Sequence, residues 1–216
     1  MTTASGSSRF LKCLMVPLLG ASWFTGPVLA QPPQTGLGIT VQVYNWASVV
    51  PQILTAAEDE TTRIFREAGV AVLWLNCPLS SAEAEANPIC IEPCPTTRFA
   101  VRINPEMPPG LAKTSLGVAL SESGIYATIY YPRVDEYAKE GIATHSQILG
   151  HAIAHEMGHL LLGPMPHARV GIMRGEWTAE DLQSITMGSF LFSPHQSVLI
   201  RQAAMGRMEA RGRLRR

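Results

Sequence analysis

The chain has 216 residues, 46% of them apolar and 16% charged. That is enough for one substantial core, and it excludes a disordered or fibrous protein. Lysine plus arginine and aspartate plus glutamate balance at 17 each, so no overall basic excess points to nucleic acid.

Taken in chain order, Arg9 and Lys12 precede an apolar run, CLMVPLLGASWF, followed by GPVLA. Val28 and Ala30 stand where a signal peptidase reads small or branched residues, so residues 1–30 are expected to be a signal peptide cleaved after Ala30. The run is broken by Pro17 and Gly20 and falls short of the roughly 20 residues a membrane span needs, so no stable membrane insertion is expected after cleavage. Residues 31–216 then form a single domain, secreted or periplasmic. Cys13 leaves with the peptide. Cys77, Cys90 and Cys94 remain in a compartment that permits disulfides. One pair and one leftover follow, and three pairings are open. A bridge from Cys77 to either of the others would clip the CIEPCP loop to the strand before it.

Residues 38–45, GITVQVYN, alternate branched apolar and polar side chains and read as a strand. From Pro51 to Glu67 the apolar residues Ile53, Leu54, Ala57, Ile64 and Phe65 fit one helix face, with Gly69 placed to stop it. VAVLWLNC, 70–77, is an apolar, β-branched run expected as a buried strand. Residues 78–97 read as loop and RFAVRIN, 98–104, as the next strand. SLGVAL, 115–120, and IYATIYYPRV, 125–134, form a hairpin around SESG. Thr144 and Gln147 make a capping box ahead of a helix of about 18 residues, which Gly163 ends. Ser193 and Pro194 open a C-terminal helix. Six arginines against Glu209 from 201 to 216 suit the end of that helix and its dipole, a solvated face with no nucleic-acid partner. Strands alternating with helices give an α/β fold.

The helix after Thr144 carries His155-Glu156-x-x-His159. One turn apart on one face, both imidazoles can reach a single zinc ion about 2.0–2.1 Å away. Glu156 stands beside them, where a carboxylate can take the proton of a zinc-bound water as it attacks a carbonyl and pass it to the leaving amine. His151 lies on the same face, but eight residues separate it from His159, about 12 Å along the axis, too far for both to share an ion. Only the later pair has a glutamate directly after its first histidine, so His151 reads as packing beside the site. A catalytic zinc usually takes three protein ligands and keeps one open position. His167, beyond Gly163, is the near candidate for the third, with Glu176 or Glu180 as carboxylate substitutes.

The stretch HEMGHLLLGPMPH, followed by Gly171-Ile172-Met173, resembles the HExxHxxGxxH motif and methionine turn of the metzincins, the zinc peptidases that include matrixins and adamalysins. Here the spacing is lengthened to HExxHxxxGxxxH. The resemblance implies a metzincin-like zincin: a twisted mixed sheet, an active-site helix and a small C-terminal helical lobe from about residue 164. It also implies His155, His159 and His167 as ligands of one catalytic zinc, Glu156 as the base and Met173 in the turn beneath the metal. A peptide or protein substrate would lie along a sheet edge supplied by the hairpin, with residues 174–192 lining the specificity pocket. The function expected is a secreted zinc-dependent endopeptidase. Its rivals are a gluzincin-like peptidase with a glutamate as third ligand, and a zinc-stabilised binding module without turnover.

Overall fold

Alternation makes Gly38–Asn45 the strand β1, with Ile39, Val41 and Val43 buried on one face. These positions belong to a computed structural model that describes residues 36–91, 98–112, 114–120, 124–163 and 167–214. The expected signal peptide and Cys94 lie outside the described residues. Helix α1, Pro51–Glu67, starts on its proline and buries Leu54, Ala57, Thr61, Ile64 and Phe65. It returns the chain to β2, Ala71–Asn76, which pairs parallel with β1.

The stretch after β2 holds two short helices where only loop was expected: α2, Ser81–Glu85, and α3, Pro88–Ile91. The Ser80 side chain accepts from the Glu83 amide, a serine cap with an acidic residue three positions on. A disulfide joins Cys77 to Cys90, resolving the open pairing. It clips α3 to the face of β1 opposite the core residues, where Gln42 Nε2 donates to the Ile89 carbonyl and the Tyr44 hydroxyl to that of Cys90.

Strand β3, Arg98–Asn104, lies parallel to β1 on its other side. The hairpin expected next is β4, Gly117–Leu120, antiparallel to β5, Tyr126–Tyr130. The order β2-β1-β3-β5-β4 leaves β4 at an edge. The expected strand over 125–134 is corrected: it ends at Tyr130, and Tyr131–Lys139 form helix α4 with Pro132 in its first turn, where a fixed φ and a missing N–H cost nothing.

Helix α5, His145–Leu162, starts at the capping box of Thr144 and Gln147 and ends at Gly163, whose φ of 77° suits glycine. It packs against α1 and across β4 and β5. Gly150 allows the approach to α1, since a Cβ there would stand 2.7 Å from the Ala57 carbonyl oxygen. Thr61 Oγ1 donates to the Gly150 carbonyl across the same contact.

Beyond the site come α6, Ala179–Thr186, and α7, Pro194–Leu214. The capping box of Thr178 and Asp181 opens α6, and Ser193 Oγ accepts from the Gln196 amide at the start of α7. Arg201 and Arg207 turn inward: Arg201 donates to the Ala68 carbonyl, and Arg207 to those of Gly124 and Leu160 while covering the Phe99 ring. Two of the C-terminal arginines therefore hold the helix to the body. Among the described residues no helix is long and apolar enough to cross a membrane.

Candidate metal centre

On α5 the side chains of His155 and His159 project from one face one turn apart, as helical spacing requires. Their Nε2 atoms stand 3.1 Å from each other, and His167 brings its own Nε2 to 3.2 Å from that of His159. One ligand atom from each of the three residues lies within 4.8 Å of the others. Nitrogens bound at about 2.0–2.1 Å to a tetrahedral zinc would be about 3.3 Å apart. The triad therefore fits such an ion.

Tautomer and orientation are set by the chain. His155 Nδ1 is 2.6 Å from the Ile172 carbonyl oxygen, which can only accept, so the proton sits on Nδ1 and the lone pair of Nε2 faces the other rings. Ile172 is held in turn by its amide, which donates to the Leu191 carbonyl. Burial pushes the imidazolium pKa of His155 and of His159 down to about 4, which keeps both nitrogens free to bind a cation at neutral pH.

His167 arrives on a segment tied down just past it: the Ala168 amide donates to the Met173 carbonyl, and that of Arg174 to Gly171. Met173 is buried in this turn, and its sulfur would stand 2.5 Å from a Cβ added at Gly158, one residue before His159. The methionine thus lies directly beneath the ligand-bearing turn of α5. Residues 164–166, which join Gly163 to His167, lie outside the described residues.

Glu156 is buried against the edge strand. A Cβ at Gly117 would come within 2.8 and 2.9 Å of its Cγ and Oε1, so bare backbone at that position makes the room. Burial alone raises the Glu156 carboxyl to about 8. His167 rests on a second bare position, Gly175, where a Cβ would stand 2.7 Å from its Nδ1. Neither glycine is marked by a sequence motif; only the three-dimensional approach reveals them.

The three histidines and Glu156 line one cavity of about 410 Å³, walled by residues 114–119 on one side and 175–177 on the other. Of the two carboxylate substitutes, Glu176 lies on this wall and accepts from the Thr114 hydroxyl at 3.3 Å. Glu180 is in the first turn of α6, where hydrogen bonding to Thr178 holds its carboxyl below the usual range. His151 is fully buried and takes no part in the triad: its Nδ1 donates to the Gln147 carbonyl, and its ring meets Trp177 edge-on. The same indole stands edge-on to His155. Of residues 174–192, expected as a specificity wall, only 175–177 line the cavity, and much of the remainder forms α6.

No protein-family model matches the chain, and no curated protein matches it. The solved structures similar to it include two peptidases. A zinc-dependent peptidase from Methanocorpusculum labreanum aligns over 74% of this chain and 99% of its own, at 15% identity and a TM-score of 0.50. Archaemetzincin from Methanopyrus kandleri aligns over 80% of this chain and 98% of its own, at 15% identity and a TM-score of 0.53. At that identity the likeness is one of fold, and the chain has the mixed α/β architecture of these two proteins.

Proposed function

We propose that this chain is an exported zinc-dependent endopeptidase in which His155, His159 and His167 hold the metal and Glu156 moves the protons. The observation that carries this reading is the convergence of three imidazole nitrogens beside a buried glutamate, in a cavity under an open sheet edge. The similar folds named as zinc-dependent peptidase and archaemetzincin support it. Bound zinc supplies a Lewis acid that polarises the peptide carbonyl, lowers the pKa of water and, by its charge, favours the ionised form of Glu156.

Glu156 then takes a proton from the attacking water and returns it to the leaving amine. Its burial argues against a purely structural zinc, which would fill its fourth position with protein and leave this carboxylate without a role. Strand β4 offers the substrate a place to lie. The Tyr130 amide donates to the Leu116 carbonyl, so in the register of β4 on β5 the Val118 backbone groups turn to β5, while those of Gly117 and Ala119 face outward. An extended peptide can pair with them. In the free protein the Ser115 hydroxyl donates to the Gly117 carbonyl.

Export is supported by the Cys77–Cys90 disulfide, a bond that persists in oxidising compartments. Sequencing the mature amino terminus tests it, and a start at Gln31 is expected. For the activity, the purified protein should bind one zinc per chain, lose peptide cleavage on chelation and regain it with zinc. A reconstituted protein that holds no zinc would overturn the reading.

Gly117→Ala tests the seat of Glu156. The added methyl group would meet the Thr128 carbonyl oxygen at 2.6 Å as well as the glutamate, so Glu156 must shift. Zinc content should be kept while kcat falls about 10²-fold, as misplacement by about 1 Å can cost. Zinc titration alongside steady-state kinetics checks both halves.

A further inference from the structure

Apart from His155, Glu156, His159 and His167, one ionisable side chain among the described residues lines the cavity: Glu176. It is exposed, and the Thr114 hydroxyl on the opposite wall donates to its Oε1. That bond spans the cavity from the segment before β4 to the segment after Met173, fixing one carboxylate oxygen and leaving the other free. The nearest arginine on its own segment, Arg174, is turned onto Asp181 at 3.1 Å. No lysine or arginine among the described residues lines the cavity. Over the whole chain acidic and basic side chains balance at 17 each, so the attraction for a cation here is local and comes from Glu176 itself.

We infer that Glu176 is a specificity residue, and that the substrates are peptides with a lysine or arginine side chain close to the scissile bond. This rests on the peptidase reading and adds the substrate class. An exposed ion pair contributes up to about 1 kcal/mol, or roughly five-fold, and a peptide lying over the carboxylate strengthens it by excluding water.

The test uses N-acetylated, C-amidated heptapeptides that differ only in one lysine or norleucine, with that residue walked along the sequence. Cleavage by the zinc-loaded enzyme and calorimetric binding to zinc-loaded Glu156→Gln are measured in parallel, with zinc content recorded for every variant. At one position the lysine peptide should be cleaved and bound about five-fold better than its norleucine twin. In Glu176→Gln that ratio should fall to about one, and in Glu176→Lys a glutamate peptide should become the favoured one. A parent protein that treats lysine and norleucine alike would overturn the inference. So would a preference that survives Glu176→Gln, one that appears only with a free amino terminus, or loss of zinc from Glu176→Gln. If no peptide is cleaved while the lysine preference persists in binding, the peptidase reading fails and the cation subsite stands.

Discussion

Glu156→Gln should keep its zinc and lose about 10²- to 10⁴-fold in peptide cleavage, the usual contribution of a positioned general base. The amide has nearly the shape of the carboxylate, so it fills the same space against Gly117 and leaves the three imidazoles where they are. What it lacks is a basic lone pair that can accept a proton from water. Metal analysis, thermal unfolding and single-turnover kinetics together read the result. Loss of zinc would assign Glu156 a structural role, and unchanged turnover would mean that another base operates.

His167→Ala should lower zinc affinity by about a hundred-fold or more, while Glu176→Ala and Glu180→Ala stay near the parent. Four-ligand structural sites hold zinc by about 10–16 kcal/mol, so a single ligand carries on the order of 3 kcal/mol. The geometry favours the histidine. Its ring packs on Gly175, the backbone beside it is bonded to Met173, and its Nε2 faces that of His159. Glu176 is engaged with Thr114, and Glu180 with Thr178 at the start of α6. Competition titrations with a chromophoric chelator decide the point. Normal zinc binding by His167→Ala, with loss in either glutamate variant, would move the third ligand to a carboxylate.

Much of this arrangement was legible in the sequence where the signal is local and periodic. The alternation in β1, the apolar face of α1 and the box of Thr144 and Gln147 gave those elements close to their observed bounds. The pair His155 and His159, with Glu156 between, follows from helical spacing alone. Where the structure departs from these expectations, a local signal is present but outweighed. Tyr130, Tyr131 and Val134 suit a strand, and they masked Pro132 as a helix start. The Ser80–Glu83 cap of α2 and the Thr178–Asp181 cap of α6 both follow the serine or threonine pattern with an acid three residues on, the first inside a stretch whose composition reads as loop and the second inside the expected specificity wall. Strand order, the choice of Cys90 over Cys94 and the seats at Gly117 and Gly175 could not be read. Each depends on chain segments that meet only after folding, and a glycine gives no sign of which distant side chain needs its empty space.

The Cys77–Cys90 bridge lies on the face of the sheet turned away from α5. The cross-link and the histidine cluster are thus mechanically separate parts of this molecule. A cross-link between residues 13 positions apart restricts the unfolded chain by about 3 kcal/mol, a large part of the margin on which a domain of this size survives. A reducing environment would therefore shorten the lifetime of the protein while leaving the chemistry of each surviving molecule intact. Dithiol treatment would act as a timer on the protein, setting how long it persists after it meets a reductant without disturbing the histidine cluster on the other face.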